Sequence, residues 1–328
     1  MSRWLAGWVG ILAALSLSAQ QGQLLVLHKA AGSLGFYSPE GKLLAEVAVG
    51  RHPHEMVLSP DGRLVYITDN GTMRIEDPGP GGNTISIVDL AARKKTGEIP
   101  LGEYHRPHGI DWERATGRLL ISCEAPDRLL LVDPIARSIV KVYETQGKTA
   151  HMVVAGAGGR YAYVSNAGSN TIAVIELAGG RVQLIPTGER PEGSVRSPDG
   201  RRIYVVNREA QRIAVVDAET NQAAGEIAVG RGPVRVGITP DGKTLVYALM
   251  HDEAVEFAET ASGKLLGRVK LGGRPVSLSL SPDGRRAYAA AQDQDTVYVI
   301  SVTDRKLLRS FKTAPGAGPD PVLELPGS

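Results

Sequence analysis

Three of the seven histidines share a local signature: His54 follows Pro53, His108 follows Pro107, and His151 takes the same place after Ala150. The series continues with Glu192 after Pro191, Val234 after Pro233, Val276 after Pro275 and Asp320 after Pro319. Neutral imidazole binds zinc, copper and iron at about 2.0 to 2.1 Å. Three imidazoles converging from separate segments, His54, His108 and His151, would therefore make a transition-metal site, with Glu192 or His28 completing its shell. An open coordination position there would invite catalysis. Without a metal, His54, His151 and Glu192 are still the residue types that move protons and activate water. No local spacing such as His-x-x-x-His joins these residues, so the chemistry depends on the fold bringing them together.

The loops before these positions carry Arg51, Arg106, Lys148, Arg190, Arg231 and Arg274. A ring of cations favours a small anionic ligand, held by Arg106 and Arg190 together with His54, His108, His151 and Glu192. The competing expectation is that each arginine is merely solvated. Cys123 aligns beside His108, where its thiol would be either an activated or metal-binding group or a small buried hydrophobe.

The elements that position these residues follow from a repeat. Ser59-Pro60-Asp61-Gly62 recurs at Ser197, Thr239 and Ser281, the last three at intervals of 42 residues. Proline presets φ, aspartate caps its own turn and glycine takes the left-handed position, so each segment is a turn before anything else. Around each lie four short alternating apolar runs, which is one propeller blade. Two degenerate units, 107–148 and 150–189, bring the complete blades to six, and a seventh is split between the chain ends, with Val322–Leu325 as its first strand. The expected fold is all-β, a seven-bladed β-propeller closed by pairing N- and C-terminal strands. Side chains after the prolines would ring the upper channel mouth. A second ring would be His28, Asp69, Cys123, Asn166, Asn207, Leu249 and Ala291. The insertion between Gly71 and Asn83 would overhang the same mouth.

Composition agrees: 39 glycines, 20 prolines and 42% hydrophobic residues suit short strands around a large core. The net charge of +2 argues against a general nucleic-acid binder. Residues 1–20 read as a signal peptide, with Arg3 ahead of an apolar run from Leu5 to Leu17 and small residues from Ser16 to Ala19. The single propeller domain then spans 21–328, without a membrane span after signal removal, as a periplasmic or secreted monomer.

Segments such as Ser197-Pro-Asp-Gly-Arg-Arg-Ile-Tyr-Val-Val-Asn207, followed by Ile213-Ala-Val-Val-Asp217, resemble the YVTN family of propeller repeats. His52-Pro-His-Glu-Met-Val-Leu-Ser-Pro-Asp-Gly62 and Ala150-His-Met-Val-Val154 are similar to motifs of seven-bladed lactonases of the 6-phosphogluconolactonase type. The second resemblance implies lactone hydrolysis, whose general base, cations for an acidic substrate and donors for the developing oxyanion would come from Glu192, His151 and Arg190, with His54 as a positioning or proton-transfer residue. Three function classes stand at this point: a binder of a small anion or transition metal (Zn, Cu or Fe), a lactone-hydrolysing or metal-dependent enzyme, and a non-catalytic scaffold for cell-envelope proteins.

Overall fold

The computed structural model describes residues 22–325, so the expected signal peptide at 1–20 lies outside the described residues. The chain forms seven four-stranded antiparallel sheets, the blades of a propeller. The innermost strands are Pro53–Leu58, His105–Glu113, Ala150–Ala155, Pro191–Arg196, Pro233–Ile238, Ser277–Leu280 and Pro319–Glu324, which define blades one to seven. Blade seven joins the chain ends: Pro319–Glu324 pairs antiparallel with Leu24–His28, as Leu25 opposite Leu323 and Val26 opposite Val322. That pairing supplies the innermost strand of blade seven and closes the ring. Among the described residues no helix is long and apolar enough to cross a membrane.

Strand position follows the sequence pattern. The second and third strands of each blade, such as Leu64–Asp69 and Thr84–Asp89, are buried on both faces between neighbouring blades. The outermost strands, such as Lys94–Pro100, alternate between exposed and partly buried positions. The Ser-Pro-Asp-Gly turns hold themselves together: Ser59 Oγ donates to Asp61 Oδ1 at 2.5 Å, the Arg63 amide donates to the same carboxylate oxygen, and Gly62 sits at φ 68°. The same bonds recur at Ser197, Thr239 and Ser281. In blade two Glu113 replaces the turn aspartate, accepting the amides of Ala115 and Thr116.

One local irregularity prepares the site. Pairing between the first and second strands shifts register between Pro53 and Met56, Pro107 and Ile110, Ala150 and Val153, Pro191 and Ser194, and Pro233 and Arg235. A bulge at the head of a strand bends it and re-aims its side chains. In this way His54, His108, His151, Glu192 and Val234 turn away from the blade. Hydroxyls of neighbouring blades then hold the turned backbone: Thr68 Oγ1 donates to the His108 carbonyl at 2.9 Å, and Ser122 Oγ donates to that of His151.

Close approach between inner strands requires glycine after two of these residues. A Cβ on Gly109 would lie 2.6 Å from Val153 N and 2.9 Å from Met152 Cα, and one on Gly193 would lie 2.8 Å from the Val234 carbonyl oxygen. Backbone atoms cannot rotate out of the way. Gly109→Ala and Gly193→Ala are each expected to lower the unfolding free energy by about 1–3 kcal/mol, as overpacking does. Urea denaturation measures this, and unchanged stability in both variants would mean that the inner strands are less closely packed than described.

Candidate functional site

His54, His108 and His151 form a row of imidazoles at the channel mouth. Ring centroids are 3.8 Å apart between His54 and His108 and 3.6 Å between His108 and His151, each pair tilted by 42°. All three are buried, His108 to 1% exposure. His151 Nδ1 lies 3.1 Å from Glu124 Oε1. Among the described residues neither nitrogen of His108 has a hydrogen-bond partner, nor does Nδ1 of His54, although Glu124 Oε1 lies 3.9 Å from His108 Nε2 and Glu55 Oε1 3.7 Å from His54 Nδ1. Two groups of ligand-type atoms share His108: one with His54 and Glu55, the other with Glu124 and His151, the atoms of each lying within 4.8 Å of one another. Those separations suit convergence on a metal ion.

Burial dominates the protonation of this row. It pushes His54 down to about 4 and His151 down to about 3, and it holds His108 well below the usual imidazole range, with the neighbouring imidazoles acting in the same sense. All three are neutral near pH 7, the form that binds metals. Burial raises Glu124 to about 7, leaving that carboxyl poised between its two states.

Other charges surround the row in pairs. Arg235 reaches across the channel to Glu55 at 2.7 Å, and this partnership holds Glu55 down at about 2 despite its burial. Lys29, lowered by burial, lies 3.7 Å from Asp320 Oδ2. Glu192 accepts from Arg190 Nε at 3.1 Å and pairs with Arg208 Nη1 at 3.0 Å. Beside the row opens a cavity of about 440 Å³ lined by His54, His151, Arg190, Glu192, Arg208 and Asp320, among others.

The insertion roofs this cavity. Met73, Arg74, Ile75 and Glu76 line it from above. Arg106 donates to the carbonyls of Ile75 at 2.8 Å and Gly79 at 2.9 Å and also reaches that of Asp77, while Glu76 meets Arg190 at 2.9 Å. The segment thus runs from blade one to blade four over the imidazoles.

Several sequence expectations take a different form here. Glu192 lines the cavity beside the row but is committed to two arginines, and the carboxylate that touches His151 is Glu124. His28 does not complete the shell: its ring is buried in blade seven, with Nε2 2.9 Å from the Tyr37 hydroxyl and Nδ1 against Ser33 and Glu46. Cys123 packs with Ile121, Leu130 and other core residues, where burial raises its thiol, so it is the small hydrophobe of the two expectations. Arg106 ties the insertion and is not part of the cavity lining. Arg51 donates to the Gly71 carbonyl, and Arg231 pairs with Asp252. Arg190 and Arg274 do line the cavity.

The second ring is displaced by one residue. The side chains that reach the mouth are Lys29, Asn70, Glu124, Arg208, Met250 and Gln292, each immediately after an expected position. Successive side chains on a strand face opposite ways, so a one-residue slip exchanges channel for core. Glu55 and Arg235 were missed for a related reason: each follows a first-ring residue within the bulge. The available signal was charge, because a strand position meant for packing between blades seldom carries glutamate, lysine or arginine.

These shifts set the pH dependence of stability. Unfolded histidines titrate near 6.5, so the stability contributed by neutral burial is fully present above that pH. It is lost as pH falls toward about 4 for His54 and about 3 for His151. Glu124 acts oppositely: its contribution is complete below the ordinary glutamate value and is lost as pH rises through about 7. Chelator-treated protein is expected to lose stability on acidification below roughly pH 6.5, and His151→Gln to flatten that loss in urea titrations. An unchanged slope in the variant would contradict the buried neutral imidazole.

No protein-family model and no curated protein sequence matches the chain, so the YVTN resemblance rests on the repeated segments themselves. Solved structures do match. Kuenenia stuttgartiensis hydrazine synthase aligns with TM-score 0.73 and 20% identity, over 87% of this chain and 94% of that one. A periplasmic gluconolactonase of Pseudomonas aeruginosa aligns with TM-score 0.75 and 18% identity, over 94% and 99%. The dihydro-heme d1 dehydrogenase NirN aligns with TM-score 0.63 and 17% identity, over 92% of this chain and 65% of that one. At such identities the likeness is one of fold, and the chain is a seven-bladed β-propeller similar in architecture to proteins of quite different chemistry.

Proposed function

We propose that this chain is an exported propeller that holds a transition-metal ion, zinc, copper or iron, at its upper channel mouth through His108 and His151, with Glu124 as the carboxylate of the set and His54 next to them in the row. The observation that carries this is His108, buried between two other imidazoles with neither ring nitrogen hydrogen-bonded among the described residues. Buried polar groups without hydrogen-bond partners are rare, and a bound ion is one of the ways in which they are satisfied. Neutral imidazoles beside a carboxylate have the donor chemistry of zinc, copper and iron sites. Bound there, the ion would supply Lewis acidity. Export, as a single domain over 21–328, is supported by the apolar run Leu5–Leu17 and by the likeness to a gluconolactonase described as periplasmic.

A second reading is hydrolysis of a lactone. The cavity that adjoins His54, His151 and Glu192 favours it, as does the gluconolactonase-like fold. In that case Glu124, brought near neutrality by burial and in contact with His151, would act as base through that imidazole, because Glu192 is paired with Arg190 and Arg208. Arg190 and Arg208 would attract an acidic substrate.

Elemental analysis of the purified protein should find one of these metals in stoichiometric amount, and His108→Ala with His151→Ala should abolish it. Glu124→Gln keeps the imidazoles but removes the partner of His151, and should weaken metal affinity about 10- to 100-fold. Metal content independent of all three residues would overturn the assignment. Proton release from a panel of lactones, lost in Glu124→Gln, would favour the second reading. A protein with neither metal nor turnover would instead be a scaffold for cell-envelope partners.

A further inference from the structure

We propose that the lower outer rim of blades five, six and seven docks onto a membrane surface rich in anionic lipid headgroups. The rim lies at the end of the propeller away from the imidazoles, and the inference does not depend on what the channel mouth holds.

The outermost strands of these blades are Leu265–Lys270, Lys306–Lys312 and Leu43–Ala48. Each is entered through the same three residues: Lys264-Leu265-Leu266, Lys306-Leu307-Leu308 and Lys42-Leu43-Leu44. The blade fold does not demand them, since blades one and four have Lys94-Lys95-Thr96 and Gln222-Ala223-Ala224 in the same place. A register shift follows the first leucine in all three strands: Tyr37 pairs with Leu43 but Phe36 with Ala45, Ile300 with Leu307 but Val299 with Arg309, and Ala258 with Leu265 but Phe257 with Gly267. The extra residue of such a bulge interrupts the alternation that would cover one leucine of each pair. Leu43, Leu44, Leu265, Leu307 and Leu308 are accordingly all exposed, between 40% and 52%.

These five side chains form one strip. A Cβ on Gly41 would lie 2.3 Å from the Phe311 ring and one on Gly267 2.8 Å from Arg305 Cδ, and Arg309 donates to the Pro39 carbonyl, so each outer strand touches the next blade. Five of the eight large apolar side chains exposed among the described residues thus share three adjacent blades. Exposed apolar groups gathered in this way mark an interaction site, whereas single ones do not.

Charge selects the partner. The rim carries Lys42, Lys264, Arg305, Lys306 and Arg309 against Glu40, Glu259 and Asp304. Among the described residues Lys42, Lys264 and Lys306 stand in no ion pair, while Asp304 accepts the Ser301 hydroxyl of its own turn at 3.0 Å. Leucine can enter the acyl boundary while the lysine beside it keeps its ammonium among the headgroups. All the exposed large apolar side chains of this strip are leucine, without the aromatic anchors on which protein interfaces turn. The direction of the chain agrees. A Cβ on Gly22 would lie 3.3 Å from Pro39 Cγ, so the apolar run Leu5–Leu17 joins the domain beside this rim.

Co-sedimentation of the exported protein with vesicles tests this, using phosphatidylcholine alone and phosphatidylcholine mixed equally with phosphatidylglycerol. The mixed vesicles should bind the protein more tightly, and added salt should weaken that binding. Lys42→Gln, Lys264→Gln and Lys306→Gln should each weaken it about fivefold, the equivalent of about 1 kcal/mol per charge near an anionic surface. Leu307→Ser with Leu308→Ser should weaken it about tenfold. Arg181→Gln, at the position of Lys42 but across the ring in blade three, should leave it unchanged. Urea denaturation confirms that each variant is folded. No binding to the mixed vesicles, equal binding to the two kinds, or an equal loss in Arg181→Gln would each overturn the proposal. A dimer that Leu307→Ser with Leu308→Ser dissociates, in protein that binds no vesicles, would assign the rim to a second copy of the chain instead.

Discussion

Seven innermost strands share one axis, and that crowding governs the rest of the molecule. Side chains that leave the head of each strand meet in a volume too small for all of them to be large or charged. In this chain three adjacent strands send imidazoles into it, stacked closely enough that water has little access to their edges. The bulge at the head of each of these three strands makes that possible, since a regular strand would direct the same residues into the next blade. Glycines at 109 and 193 then let the backbones come together behind the turned residues.

Such a row is tolerable because its charges are balanced locally. The imidazoles are kept neutral by burial, whereas the acidic and basic side chains around them are paired: Arg235 with Glu55, Lys29 with Asp320, Arg190 and Arg208 with Glu192. Removing one member of a buried pair leaves the other uncompensated, at a cost far above the worth of the contact itself. Glu124 is the exception. Among the described residues no lysine or arginine lies within ion-pairing distance of it, its neighbours being the imidazoles of His108 and His151, and burial brings it close to neutrality. A group in that condition answers readily to an arriving cation or proton.

The insertion between Gly71 and Asn83 links this electrostatic arrangement to access. It closes over the imidazoles through backbone carbonyls held by Arg106 and through the contact of Glu76 with Arg190. Two arginines that belong to equivalent loops thus do different work. Arg106 anchors the roof, and Arg190 faces the cavity.

The repeat determined the blades, the lower turns and the joining of the chain ends, because each depends on local patterns: period-two burial, proline and glycine in turns, and a missing first strand at one end supplied by the other. The first ring, His54, His108, His151 and Glu192, was legible for the same reason, as all four follow one landmark. What the sequence could not settle was direction. Whether a residue at a strand end faces channel or core changes with one step along the chain, so Glu124 and Lys29 lay hidden beside Cys123 and His28. Pairings such as Glu55 with Arg235 or Glu76 with Arg190 join residues far apart in the chain. Only closure of the ring brings them together, and that closure decides which charges remain for a ligand.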